Sequence, residues 1–333
     1  MLFVSTMDIK EFRGIEQCKT PLSLSNFTVL VGRNNSGKSS VLEALSLLPY
    51  LSCQLDYTGD TRLGFVEKLH GGRTSLVYGY SGMASLTYEV KDKKWEIRIS
   101  DNENATPSLE INGGSSSSTL EYVADALNIP KSGDFTSLIN DKVFFIPAES
   151  AFINSLFSRL NAEKYRNLVT KSGANVNVAK ELVNKCVDDK YTEILFAPEL
   201  SARKDRGDGL SPLYVKVKDL GDGIEKVVLI ALWLEALKPS LVLWDDFEGT
   251  AHPTLIKGLL EWLSKKPWQV IMSTHSIDVL TSLLDVRPKN AKVIQLKKTN
   301  NDILLHEDLN IEQLEDVIET SQDPRRLVDS LKL

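Results

Sequence analysis

Residues that bind metals or cross-link small folds are scarce in this sequence. It has 3 cysteines (Cys18, Cys53 and Cys186) and 4 histidines in 333 residues. The cysteines lie far apart without the spacing of a zinc site, and no two histidines form an i, i+4 pair. The counts therefore argue against a disulfide framework and against a zinc site. They favour reduced thiols in a cytoplasmic protein.

Long apolar runs and an excess of positive charge are also missing. No stretch approaches the ~18 uninterrupted apolar residues of a membrane span, and residues 1–9 predict a first strand rather than a signal peptide. The formal net charge is −6, whereas a protein that coats nucleic acid over a wide surface usually carries the opposite sign. These absences argue against a membrane protein and against indiscriminate DNA binding, but they allow a local basic groove.

The composition that remains is ordinary for a globular protein, with 42% hydrophobic and 25% charged residues. Residues 83–111 alternate between apolar and polar, which predicts antiparallel strands with one solvated face. Residues 151–190 predict two helices broken near Gly173, without the sustained heptads of a coiled coil. From about residue 213 to 297, strands and helices alternate, which implies parallel βαβ units. The tail from residue 310 to 333 is amphipathic and predicts a helix.

We predict from these patterns an α/β fold with a mixed sheet core, an antiparallel β subdomain and a short helical insert. Residues 1–145 form an N-terminal lobe that includes the antiparallel subdomain, and residues 146–212 form the helical insert. Residues 213–333 form a C-terminal lobe.

The most specific motif is the segment G-R-N-N-S-G-K-S, which follows the apolar strand at residues 27–31 and precedes a helix. Gly32 and Gly37 allow the backbone to turn so that consecutive N–H groups point at phosphate oxygens. Lys38 reaches the β- and γ-phosphates, and the Ser39 hydroxyl binds Mg²⁺. The strand–loop–helix context distinguishes this motif from an ordinary Gly/Ser turn. The candidate nucleotide ligands are Gly32, Arg33, Asn34, Asn35, Ser36, Gly37, Lys38, Ser39 and Ser40.

A second strand, Leu241 to Trp244, ends in two carboxylates. Asp245 is the candidate Mg²⁺ ligand, because a P-loop protein needs a carboxylate at a strand end for this purpose. Asp246 is placed to orient or deprotonate the attacking water. After the next helix, the strand at residues 270–272 leads to His275, which is suited to donate a hydrogen bond to the γ-phosphate. The catalytic candidates are therefore Asp246, His275 and Lys38.

A third glycine-containing segment, Leu220-Gly221-Asp222-Gly223, precedes an apolar helix that Pro239 ends. The free N–H groups of such a helix N-terminus suit a γ-phosphate, including one bound to another chain. Gly221 and Gly223 are candidate nucleotide ligands for that reason.

Taken in order, these segments together with Phe12-Arg13-Gly14 resemble those of ABC-type P-loop ATPases, in the branch that contains RecF, SMC and OLD-family proteins. The resemblance covers roughly residues 1–50 and 140–300. It implies a Walker A loop at residues 32–40, a signature motif at 220–226, a Walker B aspartate at Asp245 and a D-loop at 248–253. It also implies that His275 is the switch histidine and that Arg13 contacts the nucleotide, with ATP and Mg²⁺ as ligands.

The sequence departs from the family pattern at several positions. Asp246 stands where the family usually has Glu, and Phe247 stands where it has Pro. The shorter carboxylate retracts the base by about one methylene, so slow hydrolysis is expected. The signature lacks the usual Ser and Gln, although its L-G-D-G form resembles that of OLD proteins. No Q-loop glutamine is evident, and Glu149 is a candidate metal contact in its place.

We expect an ATPase that dimerises head to tail around two ATP molecules and acts in DNA transactions or genome defence, with DNA or an effector protein as a possible partner. One alternative is a nucleotide-gated binding module with negligible hydrolysis. A second is the ATPase subunit of a transporter, although such subunits carry L-S-G-G-Q. A GTPase is disfavoured because Asn184-Lys185-Cys186-Val187 does not complete N-K-x-D. Only about 55 residues follow the histidine motif, too few for the nuclease domain of an OLD protein.

Overall fold

Two β-sheets and a set of mostly short helices make up the fold. The structure is a computed structural model that describes residues 2–112, 114–115, 120–131, 133–196, 199–207, 209–249, 252–320 and 323–327. The strands are Val4–Phe12 (β1), Ile15–Cys18 (β2), Leu22–Ser23 (β3), Phe27–Val31 (β4), Met83–Val90 (β5), Lys93–Ser100 (β6), Ser108–Ile111 (β7), Gly114–Ser115 (β8), Val143–Ile146 (β9), Glu193–Leu195 (β10), Ser201–Lys204 (β11), Leu213–Lys216 (β12), Leu241–Trp244 (β13), Gln269–Ser273 (β14), Ala291–Lys298 (β15) and Ile303–Asn310 (β16).

The α-helices are Lys38–Ser46 (α1), Arg62–His70 (α2), Leu120–Leu127 (α3), Phe135–Asn140 (α4), Ser150–Leu160 (α5), Glu163–Lys171 (α6), Ala174–Val178 (α7), Asn184–Cys186 (α8), Asp222–Leu237 (α9), Pro253–Ser264 (α10), Ile277–Val286 (α11), Ile311–Glu319 (α12) and Pro324–Leu327 (α13). A π-helical turn at Ala179–Val183 joins α7 to α8. In the part of the chain that the structure describes, no helix is long and apolar enough to cross a membrane.

The larger sheet is mixed, and one half of it is parallel. Its strands run in the order β9-β13-β14-β4-β15, each parallel to its neighbour. Every residue of β4, β9, β13 and β14 is buried, as expected for parallel strands covered on both faces. Because β14 lies between β4 and β13, the carboxyl ends of these three strands form one continuous edge.

The other half of the larger sheet is mainly antiparallel, and it confirms the prediction for residues 83–111. Strand β6 pairs antiparallel with both β5 and β7, and β5 pairs antiparallel with β1. Along β5 and β6, buried residues alternate with partly exposed ones. The Tyr88 hydroxyl donates to Ala44 O of α1 at 2.6 Å, so this half is tied directly to the helix that follows the phosphate loop.

A separate three-stranded antiparallel sheet, in the order β10-β11-β12, corrects one prediction. The strand at residue 213 was expected to begin the parallel βαβ series, but β12 pairs with β11 instead. Most of its residues are exposed, whereas the parallel strands are wholly buried. The rest of the series, from α9 to β15, follows the predicted order, and β13, β14 and β15 are parallel members of the larger sheet.

The helical insert contains more breaks than the sequence indicated. The predicted break at Gly173 is present, with a positive φ of 73°. A second break at Asn161 and Ala162 separates α5 from α6. These helices pack against α9, where the rings of Tyr165 and Trp233 lie 5.1 Å apart. The fold class is therefore as predicted, while the division into residues 1–145, 146–212 and 213–333 stays a prediction.

Candidate nucleotide-binding site

The loop between β4 and α1 requires glycine at its first position. Gly32 has a φ of 152°, and a Cβ atom there would lie 2.4 Å from Leu296 O and 2.6 Å from Ser36 Oγ. Gly37 has a φ of 99° and immediately precedes α1. Both positions disfavour any residue with a side chain. The loop thus has the tight turn that the G-x-x-x-x-G-K-S spacing predicts.

Lys38 lies on the inner side of this loop. Its Nζ donates to Gly32 O and to Arg33 O, each at 3.0 Å, and the residue is only 6% exposed. Burial lowers the pKa of Lys38 to about 8, while the charges of Asp245, Glu248 and Asp246 act in the opposite direction. A buried ammonium ion held by two carbonyl oxygens of the loop is suited to a phosphate group.

Ser36 carries a buried polar atom that fits a ligand in the same place. Its Oγ is buried and has no hydrogen-bond partner among the described residues, and a buried hydroxyl in that condition is costly. The N-terminus of α1, at Lys38 and Ser39, adds the positive end of a helix dipole. The loop therefore fits the polyphosphate of a nucleotide.

A cavity of about 580 Å³ opens in front of the loop. The described residues that line it are Arg13, Gly14, Asn34, Asn35, Ser36, Gly37, Lys38, Ser39, Ser40, Ala148, Asp245, Asp246, Ser273, His275 and Lys298. The cavity brings together the three regions that the sequence singled out separately, namely the phosphate loop, the two aspartates and the histidine.

Asp245 and Asp246 are held by the neighbouring strand. The Ser273 hydroxyl donates to Asp245 Oδ1 at 2.5 Å and accepts from the Asp246 N–H at 2.9 Å. Asp246 has a φ of 52°, so the chain turns sharply directly after Asp245. Burial raises the pKa of Asp246, and the charges of Glu248 and Asp245 add to the increase. A carboxylate with a raised pKa is a stronger base than an ordinary aspartate.

Glu248 is the first residue of the predicted D-loop, but the sequence analysis gave it no role of its own in the site. Its carboxylate accepts from Thr274 Oγ1 at 2.6 Å and from the His275 N–H at 2.5 Å. It therefore connects the loop after β13 to the loop after β14. The available signal was a third acidic residue after Asp245 and Asp246, but nothing in the sequence indicated which groups it would contact.

His275 faces most of the charges of the site. Burial lowers its pKa and Lys38 lowers it further, while Glu248, Asp246 and Asp245 raise it. The imidazole is consequently biased towards its neutral form, in which one ring nitrogen donates and the other accepts. In that form it suits a hydrogen bond to a phosphate or to a water molecule.

The donor set for a divalent cation is small. No group of three or more His, Cys, Asp or Glu side chains able to hold a metal occurs in the described parts of the chain. Ser39 and Asp245 both line the cavity. A hydroxyl and a carboxylate fit Mg²⁺, which typically takes few protein ligands and completes its shell with phosphates and water.

Arg13 and Lys298 lie on the side of the cavity nearest β1 and β15. Arg13 forms an ion pair with the buried Glu43 and a 3.2 Å hydrogen bond with His70. Lys298 Nζ donates to Gly14 O at 2.7 Å and to Asp302 Oδ1 at 2.9 Å. Lys298 was not predicted, because no motif connects the end of β15 to the glycine after β1.

Several predicted residues do not line the cavity in this structure. Five predicted site residues are not among the described residues that line the cavity, namely Gly221, Gly223, Glu149, Gly32 and Arg33. Gly32 and Arg33 instead contribute the carbonyls that bind Lys38, and Glu149 is exposed just before α5. Gly221 and Gly223 lie at the start of α9. Their roles stay predictions. Residues 250 and 251 of the predicted D-loop lie outside the described residues.

The beginning of α9 nevertheless approaches Asp246 within the same chain. Lys226 Nζ and Asp246 Oδ2 lie 3.6 and 3.5 Å from the point that a Cβ on Gly249 would occupy. Burial lowers the pKa of Lys226, and the charge of Asp246 counteracts this effect. Lys226 is therefore a second cation beside the candidate base.

Solved structures with a similar fold include heads of SMC proteins. The SMC head bound to the C-winged helix domain of ScpA has 15% sequence identity and a TM-score of 0.60, covering 94% of this chain and 99% of that chain. The Smc head with an extended coiled coil bound to the C-terminal domain of ScpA from Pyrococcus furiosus has 12% identity and a TM-score of 0.58, covering 96% and 100%. The SMC head domain from Thermotoga maritima has 14% identity and a TM-score of 0.53, covering 93% and 100%.

At these identities the likeness concerns the fold alone. No match was found among curated protein sequences. The family described as "AAA domain, putative AbiEii toxin, Type IV TA system" matches residues 27–282, well over half of the chain. The matched region contains both the phosphate loop and the loop of His275. The chain therefore belongs to this AAA-domain family and has an ABC-type P-loop ATPase fold.

Proposed function

We propose that this protein binds ATP with Mg²⁺ in the cavity described above and hydrolyses the γ-phosphate slowly. The observation that carries the proposal is the convergence of Lys38, Asp246 and His275 on one cavity at the ends of adjacent parallel strands. A phosphate loop alone would support binding only. A carboxylate with a raised pKa and a histidine biased towards neutrality supply groups that can accept and donate protons there.

Each group of residues in the cavity has a separate role in the transfer of a phosphoryl group to water. The loop N–H groups and Lys38 bind the phosphates and neutralise their charge. Ser39 and Asp245 would hold Mg²⁺, which draws charge from the β- and γ-phosphate oxygens when it is bound. Asp246 accepts a proton from the attacking water, and His275 orients that water or the γ-phosphate. Glu248 fixes the backbone of His275.

We propose further that two chains assemble head to tail, so that each cavity is completed by the start of α9 from the other chain. Gly221 and Gly223 lie outside the cavity of their own chain, while the N–H groups of a helix start are suited to a phosphate. The L-G-D-G segment favours an OLD-like member of the ABC ATPases. Two of the SMC heads above were solved with ScpA domains, which motivates a search for an effector partner, with DNA as the other candidate.

Binding and turnover with purified protein test the enzymatic part of this proposal. Wild type is compared with Lys38→Ala and with Lys257→Ala, a control that removes an exposed lysine paired with Asp285. We expect ATP binding by wild type and control only, with slow phosphate release. Binding without any release above the Lys38→Ala background would indicate a nucleotide-gated module instead. If wild type does not bind ATP, the proposal is wrong.

A further inference from the structure

The end of the described chain lies against His275, the predicted switch histidine. We call residues 323–327, which include α13, the C-terminal hook. Its Pro324 carbonyl accepts a 2.6 Å hydrogen bond from Gln295 Nε2. Gln295 belongs to β15 and is fully buried. This bond satisfies the buried amide nitrogen of Gln295, which would otherwise carry a desolvation cost, while Gln295 Oε1 has no hydrogen-bond partner among the described residues. The hook therefore has a specific anchor on the central sheet.

Arg325 of the hook extends from this anchor towards the catalytic cavity. Its Nε and Nη2 donate to the two carboxylate oxygens of Asp323 at 2.8 and 2.7 Å. Such a two-point pairing fixes the plane of the guanidinium group. The remaining terminal nitrogen, Nη1, donates to His275 O at 2.6 Å. Arg325 and His275 are 50 positions apart in the sequence, so the contact is purely tertiary.

The backbone of His275 is consequently held on both sides. Glu248 accepts from its N–H, and Arg325 donates to its carbonyl oxygen. The preceding residue, Thr274, is fixed by the same Glu248 carboxylate and also accepts from the Ser276 N–H at 3.0 Å. With the main chain fixed, only rotation about the side-chain bonds is left to the imidazole. These bonds restrict where its ring nitrogens can lie.

The charges of the two clamping groups are complementary. The charge of Glu248 contributes to raising the pKa of Arg325, after the larger effect of Asp323. The negative carboxylate of Glu248 binds the N–H of His275, and the positive guanidinium of Arg325 binds its carbonyl oxygen.

We infer that Arg325 is a positioning residue, and that the C-terminal hook holds His275 in its working position during ATP hydrolysis. The inference deepens the proposed function, because it assumes that His275 acts on the γ-phosphate or its water. Arg325 itself acts through the peptide of His275. Loss of the guanidinium should lower kcat and leave the KM for ATP unchanged, since the phosphate loop is untouched. Misplacing a catalytic group by about 1 Å can cost up to about 100-fold.

The test uses Arg325→Gln, Arg325→Lys and the control Arg287→Gln in the full chain. Arg287 forms an exposed ion pair with Glu315 of α12, so its loss weakens a nearby contact without affecting His275. Hydrogen exchange of the peptide containing residues 273–277 is measured first, in the protein without nucleotide. We expect exchange about tenfold faster in Arg325→Gln, because the clamp on the loop is lost. The control should match wild type.

Steady-state phosphate release gives the second measurement. Arg325→Gln should lower kcat about tenfold with KM unchanged within about twofold, and Arg325→Lys should recover part of kcat by donating a single bond. If Arg325→Gln fails to fold, the Arg325→Lys comparison still decides.

Unchanged exchange at residues 273–277 would overturn the inference, as would a kcat equal to that of the control. A raised KM with unchanged kcat would also overturn it. Hydrogen exchange is measured without ATP, so it separates the two proposals. If wild type shows no turnover but Arg325→Gln still exchanges faster than wild type, the proposed hydrolysis is contradicted and the contact between Arg325 and His275 is supported.

Discussion

We predict that the lowered pKa of Lys38 will make the affinity for ATP depend on pH in a range where an ordinary lysine would not titrate. Burial lowers this pKa from its usual 10.5 to about 8. The ammonium form attracts phosphate, so affinity is highest below pH 8 and is lost as the pH rises and the lysine is deprotonated. Bound phosphate raises the pKa of Lys38 in the complex, so the titration belongs to the free protein.

The size of the effect follows from the charged fraction. With a pKa of about 8, roughly 90% of free protein carries charged Lys38 at pH 7 and roughly 10% at pH 9. Since apparent affinity scales with the competent fraction, the Kd for ATP should increase about tenfold between these values, or about 1.4 kcal/mol. A lysine with the usual pKa of 10.5 would leave Kd nearly constant.

The assay is titration of a fluorescent, non-hydrolysable ATP analogue at constant Mg²⁺ and ionic strength from pH 7 to 9.5. Phosphate groups with a last pKa of about 6 are fully ionised throughout. Lys38→Arg is the matched control, because a guanidinium stays charged and should give a flat profile. A wild-type Kd that is constant from pH 7 to 9 would refute the burial argument. A profile equally steep in Lys38→Arg would assign the titration to another group.

Three further predictions concern the loop, the base and the assembly. Gly32→Ala should destabilise the fold by about 2 kcal/mol or more and abolish ATP binding, since its Cβ would lie 2.4 Å from a backbone oxygen; thermal unfolding and nucleotide titration measure both. Asp246→Asn should keep ATP binding and reduce phosphate release by about 100-fold or more, whereas Asp246→Glu should raise turnover by extending the carboxylate. Mg-ATP should drive Asp246→Asn into a homodimer measurable by light scattering, and Gly223→Arg should block the dimer while single-chain ATP binding survives.

Each of these predictions has a control variant or a result that would contradict it. Gly71→Ala has the same positive-φ problem but open space around its Cβ, so equal losses in both variants would refute the contact argument for Gly32. Normal turnover by Asp246→Asn would place the base elsewhere; Asp285→Asn serves as the exposed control. An ATP-bound protein that stays monomeric at high concentration would contradict head-to-tail assembly.

The phosphate loop could be predicted from sequence because its chemistry is contained in eight consecutive residues. Gly32 and Gly37 adopt positive φ, as their spacing required, and Lys38 lies at the start of the helix. The mainly apolar strands β4, β13 and β14 were evident for a similar reason, because a strand that is buried on both faces consists mostly of apolar residues. Local backbone demands and burial therefore determined the fold class and the candidate residues.

Tertiary structure alone decided which groups meet. The insertion of β14 between β4 and β13 brings Ser273 to Asp245 and Asp246, and no pattern within a single strand specifies its neighbours. The same holds for β12, which has strand character but pairs outside the main sheet. Long-range pairing depends on the shape of the whole chain, not on the periodicity of one segment.

The contacts of several charged side chains could not be predicted from the sequence for the same reason. Glu248 is one acidic residue among many until the sheet places it beside Thr274 and His275. Lys298 and Arg325 gain their significance from Gly14 O and His275 O, which are backbone atoms that every residue possesses. A hydrogen bond to a carbonyl leaves no trace in the identity of the residue that accepts it. Only the folded chain reveals which carbonyl lies within reach.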